Sequence, residues 1–284
     1  MLERSFVVVG YPVAHSMSAF VQEGVAKCCH STIKYERCQS TAENLVGLKE
    51  KALRRWDGLN ITSPHKERAA LFQTKSSPRA SNFRAVNTLK ILRQQECFGD
   101  NTDGLGFISD LMGGFVDFTN HPIFLFGSGG TAKSIALGLL SCSPQSICLV
   151  ARNIRKAVDV VSEIVQQAKR CGTHISCHPF SATASSFPKI IINTTPTNPL
   201  KLWDIKGSQN KLDGLSYDIR YFPSQTEFMR DAERLGLKQM NGTRMLVSQA
   251  AECFRVWNAL RLKDDIRVGI VQNVELFCSR IFPA

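Results

Sequence analysis

The feature that most restricts how this chain can fold is Ile123-Phe124-Leu125-Phe126 running directly into Gly127-Ser128-Gly129-Gly130-Thr131-Ala132. Four consecutive apolar residues cannot alternate between a wet and a dry face. They therefore predict a strand buried on both sides, as in a parallel sheet covered by helices. The glycines predict a tight turn out of that strand, and residues 134–140 predict the helix behind it. Further strands are predicted at 147–150, 190–193 and 214–218, alternating with helical stretches. That alternation, from about His121 onward, calls for crossover connections, and so for a parallel sheet.

A glycine turn between a buried strand and a helix lets backbone N–H groups approach a pyrophosphate at the helix N-terminus. Sites of this type that take NAD usually end the next strand on an acid that binds the ribose hydroxyls. Here that strand ends on Ala151-Arg152-Asn153-Ile154-Arg155-Lys156, and no acid follows before Asp159. A cation in that place favours the additional 2'-phosphate of NADP, with Arg152 stacking on adenine or pairing with phosphate and Lys156 close behind. The alternative is a solvated basic loop. Asn193-Thr194-Thr195-Pro196 closes another strand, on the edge where such sheets receive ligands.

In the first third of the chain, a short apolar strand near Gly58 leads into Asn60-Ile61-Thr62-Ser63-Pro64-His65-Lys66. Ser63-Pro64 predicts an N-cap followed by proline at the first helical position, which places Lys66 in the first turn. The helix dipole disfavours a cation there, so Lys66 is a candidate acid/base group, with a solvated surface lysine as the alternative. Phe98-Gly99-Asp100-Asn101-Thr102-Asp103 predicts a strand breaking into an acidic turn. Asp103 is read either as a helix cap or as the carboxylate that pairs with Lys66. Asn87, inside the predicted strand 85–89, must find hydrogen-bond partners if buried, and a ligand hydroxyl would serve. Ser16 and Ser18, at the junction after the strand 6–9, either face an anion or cap the helix. His15 beside them suggests hydrolase chemistry, but no G-x-S-x-G elbow occurs in the sequence. Helices are predicted at 43–53 and through 69–72, a loop over 74–81, and an amphipathic helix carrying Leu246, Ala250, Phe254 and Trp257.

With 284 residues and 43% apolar content the chain can bury one large core or two ordinary ones. The net charge of +11 suits an acidic substrate and a phosphorylated cofactor. The basic residues are dispersed without a recognised nucleic-acid-binding pattern, and no apolar run reaches bilayer length. No nucleic acid or membrane partner is expected, and the chain reads as cytoplasmic. The ten cysteines are scattered and read as reduced thiols. Cys171, His174, Cys177 and His178 lack zinc-site spacing, so no metal is expected.

Taken in order, these segments resemble the shikimate dehydrogenase family. The resemblance runs through Ser16-x-Ser18, the N-x-T-x-P-x-K of residues 60–66, Ala85-Val86-Asn87-Thr88, the G-D-N-T-D-G of residues 99–104 and the G-x-G-G-x-A of residues 127–132. It continues through Tyr217-Asp218 with Tyr221 and Thr226, and Met245-Leu246-Val247-x-Gln249-Ala250-Ala251.

The resemblance implies two α/β domains with a cleft between them. A substrate domain over 1–105, with helices of 245–284 packing back on it, precedes the Rossmann-type NADP domain over 106–244. It implies Lys66 and Asp103 as the catalytic pair, and Ser16, Ser18, Asn60, Thr62, Asn87, Tyr217 and Gln249 around the substrate. Around NADP it implies Gly127, Ser128, Gly129, Gly130, Thr131, Ala151, Arg152, Asn153, Lys156, Thr194, Leu215 and Gly242. The implied reaction is the reversible NADPH-dependent reduction of 3-dehydroshikimate to shikimate, a step towards the aromatic amino acids. A related cyclic hydroxy acid such as quinate, or a non-catalytic NADP-binding regulatory role, stays open, as does a homodimer. Three motifs depart from the family pattern: Arg244 replaces the second glycine of G-x-G-M-L, Ala151-Arg152-Asn153 replaces Asn-Arg-Thr, and Ala19 replaces the proline after the second serine.

Overall fold

The computed structural model describes residues 4–14, 16–92, 96–113, 118–119, 121–180, 188–202, 213–258 and 272. Among these, two compact units are found. One comprises the residues up to Gly106 together with those from Leu246; the other comprises Phe107–Met245. The segment expected to return from residue 259 onward lies, residue 272 apart, outside the described residues.

The first unit begins with β1 (Arg4–Gly10), α1 (Ser18–Cys28), β2 (Ile33–Gln39), α2 (Leu45–Arg55), β3 (Gly58–Ile61), α3 (Lys66–Ala69) and β4 (Lys75–Ser76). It continues with α4 (Pro78–Phe83), β5 (Thr88–Ile91), β6 (Cys97–Asp100) and the start of α5 (Asp103–Gly113). The strand order is β2-β1-β3-β5-β6-β4, with β5 antiparallel to both β3 and β6. Val8, Asn60, Thr88 and Asp100 lie abreast in this register. Reversal of β5 therefore brings its first residues beside the ends of β3 and β6. The loops carrying Lys66 and Asp103 leave the sheet on that same edge.

Strand β1 is apolar on both faces because both are covered. Val7 and Val9 pack with Leu45, Leu48 and Ala52 of α2 and with Trp56 just after its end. Phe6 points the other way and stacks on Trp257 with ring centroids 4.2 Å apart.

The helix at 63–66 forms differently from expectation. The Ser63 carbonyl accepts the Tyr11 N–H at 3.1 Å, and His65 N–H closes a turn on Thr62. The Ser63 carbonyl thus faces the end of β1, and the first helical bond is the one the Ala69 N–H makes to the His65 carbonyl at 2.8 Å. The helix opens at Lys66 and lasts one turn. The Ser-Pro start signal operates instead at Ser77-Pro78, inside the stretch expected to be a loop. There Ser77 Oγ accepts the Ala80 N–H at 3.1 Å and caps α4. The strand expected at 85–89 begins only at Thr88.

The second unit contains the rest of α5, then β7 (Pro122–Phe126), α6 (Gly130–Leu139), β8 (Ser146–Ala151), α7 (Ile154–Arg170), β9 (His174–Pro179) and β10 (Ile190–Asn193). It ends with β11 (Leu215–Asp218), α8 (Glu227–Arg234), β12 (Lys238–Asn241) and the first residues of α9 (Thr243–Asn258). Its sheet is parallel throughout, in the order β12-β11-β10-β7-β8-β9. The chain moves outward from β7 through β8 to β9, then crosses to β10 and moves outward the other way. The switch point thus lies between β7 and β10, where doubly wound sheets open a crevice at the strands' carboxyl ends. Among the described residues no helix is long and apolar enough to cross a membrane.

Gly58 generates a stability test. A Cβ there would sit 2.6 Å from the Trp257 indole nitrogen and 2.8 Å from the Leu89 carbonyl, which that indole N–H donates to at 3.0 Å. Gly58→Ala should therefore lower the unfolding free energy by roughly 1–3 kcal/mol, the usual cost of overpacking. Urea melts followed by tryptophan fluorescence measure it; an unchanged midpoint contradicts this packing.

Candidate active site

In the first unit the sheet edge gathers a ladder of polar side chains that ends on an ion pair. Lys66 Nζ lies 2.5 Å from Asp103 Oδ2, with the two side chains only 13% and 7% exposed. The other carboxylate oxygen, Oδ1, accepts from Asn87 Nδ2 at 2.7 Å. Asn87 also donates to Thr102 Oγ1 at 3.0 Å, and its own carbonyl oxygen accepts from the Thr102 N–H and the Thr88 hydroxyl, each at 2.9 Å. The Asp103 N–H is held by Asn101 Oδ1, and Asn101 in turn donates to the Ala85 carbonyl.

Beneath that turn, Asp100 is buried against Arg79, Ser77 and the Asn101 N–H. Asp103 is thus both the first residue of α5 and the partner of Lys66, and Lys66 is no solvated surface lysine.

The remaining residues expected around a substrate divide into engaged and available groups. The Asn60 carbonyl oxygen accepts from Tyr35 Oη at 2.6 Å and Gln22 Nε2 at 3.2 Å, while its nitrogen donates to the Asn87 carbonyl at 3.2 Å and Cys253 Sγ at 3.0 Å. Protein partners thus engage both ends of this amide. Burial raises the Tyr35 hydroxyl well above its ordinary pKa, so it remains a donor to Asn60. Thr62 is half-buried beside Gly10, where a side chain on the glycine would collide with the threonine methyl.

Ser16 donates its hydroxyl to Ser18 Oγ at 3.0 Å and accepts the Ser18 N–H at 3.2 Å, so it also serves the helix start. His15 lies outside the described residues. Gln249 accepts from Thr102 Oγ1 at 3.5 Å and donates to the Leu246 carbonyl at 2.9 Å. Helix α9 approaches α5 at Gly106, where a Cβ would come within 2.7 Å of the Gln249 backbone.

Tyr217 belongs to the second unit. Its ring meets Phe107 edge-on at 4.9 Å, and its fully buried hydroxyl donates to Asp110 Oδ2 at 2.5 Å. Burial first, then the Asp110 carboxylate, raises the phenol well above its ordinary range; the Arg244 cation opposes this. Arg244, the departure from the family pattern, is exposed with its charge within reach of that phenol.

The switch point of the second unit holds the expected glycine turn. Gly127 adopts φ +122°, a backbone region that side chains disfavour, and a Cβ there would collide with Thr194 Oγ1. Thr194 is drawn in by two hydrogen bonds to the Phe126 carbonyl, from its N–H at 2.9 Å and its hydroxyl at 2.7 Å. Ser128 follows in the turn; Gly129 caps α6, and Gly130 and Thr131 open it with no acid in the first turn. Ala151 ends β8, Arg152 is exposed, and Asn153 caps α7 by accepting the Lys156 N–H at 3.1 Å. Leu215 is buried at the start of β11. Gly242 is required by closeness: a Cβ would collide with the Ile219 carbonyl. Among the described residues no cluster of His, Cys, Asp or Glu could hold a metal ion.

Sequence reading alone misses Thr88, Thr102, Tyr35, Gln22 and Cys253 as members of the polar ladder. Cys253 carries a usable signal, because it stands one helical turn after Gln249 and so shares its face. Tyr35 and Gln22 carry none, since strand and helix packing alone bring them to Asn60. The buried Asp218, bonded to Arg220 and to the Thr226 hydroxyl that caps α8, is legible only as a motif.

Residues 8–89 match the model of the shikimate dehydrogenase substrate binding domain. The shikimate dehydrogenase (NADP(+)) of Methylobacillus flagellatus is 31% identical over 264 residues, spanning 90% of this chain and 94% of that protein. That of Aeromonas hydrophila is 30% identical over 258 residues, spanning 90% and 93%. Among solved structures, shikimate 5-dehydrogenase of Thermus thermophilus in complex with NADP(H) and shikimate superposes with a TM-score of 0.78 at 26% identity, covering 95% of this chain and 99% of that one. With relatives at this identity aligned over nine-tenths of its length, the chain belongs to the shikimate dehydrogenase family.

Proposed function

We propose that this chain is an NADP-dependent shikimate dehydrogenase, catalysing the reversible reduction of 3-dehydroshikimate to shikimate in aromatic amino acid biosynthesis in the cytoplasm. The observation that carries the reading is the shielded Lys66–Asp103 pair, whose lysine lies within the matched substrate binding domain. An alcohol and a ketone interconvert by moving a hydride from carbon and a proton from oxygen, and a proton-carrying pair largely shut off from water suits the second task. Lys66 Nζ and Asp103 Oδ2 are in direct contact, so acid and base roles belong to the pair.

The residues of the second unit fit NADP. Gly127 takes a conformation glycine alone adopts easily, and nothing lies within 4 Å of a Cβ added at Gly129, so backbone N–H groups are approachable. Residues 127–131 would hold the pyrophosphate. The first turn of α7 carries Arg155 and Lys156 and no acid, and Arg152 stands exposed before it. Arg152, with Lys156, would hold the 2'-phosphate. When bound, NADP takes up or delivers the hydride.

In this reading Lys66 and Asp103 take the proton from the substrate hydroxyl or return it. Ser16, Ser18, Thr62, Asn87 and Gln249 contact the carboxylate and the remaining hydroxyls. Asn60, whose amide is engaged at both ends within the first unit, holds the strand beneath that shell in place.

Two substitutions test the assignments. Lys66→Ala should lower kcat by roughly 10²- to 10⁴-fold, the scale of a general acid/base, in steady-state assays of NADPH formation. A variant keeping more than half the wild-type rate removes Lys66 from the mechanism. Arg152→Ala should raise KM for NADP roughly 10- to 100-fold, as expected for lost charge-assisted bonds, and leave KM for NAD nearly unchanged. Equal loss for both nucleotides would place Arg152 elsewhere than at the 2'-phosphate.

A further inference from the structure

Cys253 is wholly buried on α9, and its sulfur stands where four polar side chains cross. Thr88 Oγ1 lies at 2.8 Å, Asn60 Nδ2 at 3.0 Å, Thr102 Oγ1 at 3.2 Å and Gln249 Oε1 at 3.6 Å. Proton accounting fixes the directions. The Asn60 nitrogen only donates, so the sulfur accepts from it, and the Gln249 oxygen only accepts. The Thr88 hydroxyl gives its proton to Asn87 Oδ1 and has none left for the sulfur.

The single thiol proton therefore goes to one of Thr88 Oγ1, Thr102 Oγ1 and Gln249 Oε1 at a time; the two threonines bond Asn87 directly, and Gln249 reaches it through Thr102. Burial pushes the thiol up to about 11, ahead of the smaller pull of its hydrogen bonds, so the group is neutral at physiological pH and serves as donor and acceptor together. A thiolate could not donate, and an alkyl group could do neither.

We propose that Cys253 is a positioning residue for the Lys66–Asp103 pair: its thiol locks Thr88, Thr102 and Gln249 in the arrangement that makes Asn87 present its nitrogen, rather than its oxygen, to Asp103. The sequence of contacts is continuous. Thr88 and Thr102 hold Asn87 Oδ1, and this leaves Nδ2 facing Asp103 Oδ1 at 2.7 Å. A reversed amide would set its carbonyl against the carboxylate and disturb the proton balance of the pair. The Thr102 N–H resists reversal as well, so loss of the thiol loosens the arrangement without abolishing it. The proposal rests on the dehydrogenase reading for its kinetic consequence, but not for its effect on Lys66.

The test compares wild type with Cys253→Ser, Cys253→Ala and Cys253→Val by two readouts. The first is kcat and KM against pH with shikimate and NADP. The second is the NMR titration of the ¹³C-dimethylated Lys66 ammonium, assigned by its absence in Lys66→Arg. The serine variant, which keeps donor and acceptor, should stay within about threefold of wild type in kcat, whereas alanine and valine should lose roughly tenfold, the scale of one buried hydrogen bond. In alanine and valine the pH profile and the Lys66 titration should both move, with KM changing less than kcat.

If the alanine variant proves unstable in thermal melts, serine against valine carries the comparison. Rates that fall in alanine and valine with neither the pH profile nor the Lys66 titration displaced would overturn the proposal in favour of simple packing. So would a serine variant as impaired as valine. Absence of shikimate turnover by the wild type would defeat the dehydrogenase reading instead, and the Lys66 titration alone would then decide the role of Cys253.

Discussion

A lysine ammonium and a carboxylate, both largely shut off from water, are held in contact at the end of a sheet, and most of the first unit can be understood as the means of doing so. Removing two charges from water is costly, and mutual attraction offsets that cost only when the remaining lone pairs are satisfied. Asn87 satisfies the second carboxylate oxygen, and Thr102 and Thr88 satisfy Asn87. Because β5 runs against its neighbours, the residues before it lie beside the turns that follow β3 and β6. Positions 66, 87 and 103 thereby converge although the chain separates them widely. The Arg79–Asp100 pair fixes the turn from below, and the Tyr35–Asn60 bond fixes the neighbouring strand from the side.

The second unit rests on a different constraint, the conformation of one glycine. Gly127 leaves β7 at positive φ because Thr194, tied to the Phe126 carbonyl, occupies the space a side chain would need. The two strands flanking the switch point thus meet through a contact that only glycine permits. The exposed backbone that results, the helix start behind it and the cation-rich opening of α7 all lie on the carboxyl edge of the same sheet. Arg244 follows β12 on that edge, exposed, and extends the positive field towards the buried Tyr217–Asp110 bond.

The parts legible in the sequence are those written in short range. The buried strand, glycine turn and helix at 123–139 occupy consecutive residues, and so do the apolar stripes of α2 and α9; period and turn chemistry suffice for both. The start of the Lys66 helix departs from expectation for a reason of long range. Ser63-Pro64 and Ser77-Pro78 offer the same local signal, and only the first has its carbonyl taken by Tyr11, from the far end of β1. The saturation of Asn60 is likewise hidden, since its partners come from α1, β2, the start of β5 and α9 and are chosen by register rather than by spacing. Buried polar networks of this kind need every member satisfied. Motif matching locates the residues that such a network serves and passes over the residues that compose it.

The most direct test of the account is the rate of NADPH formation by purified protein given shikimate and NADP, with quinate and NAD run in parallel. The account predicts saturable turnover with shikimate and NADP, and far weaker turnover when either is replaced. Folded protein that binds NADP yet turns over none of these pairs would contradict it, and the shielded Lys66–Asp103 pair would then be a structural ion pair rather than the proton carrier of a dehydrogenase.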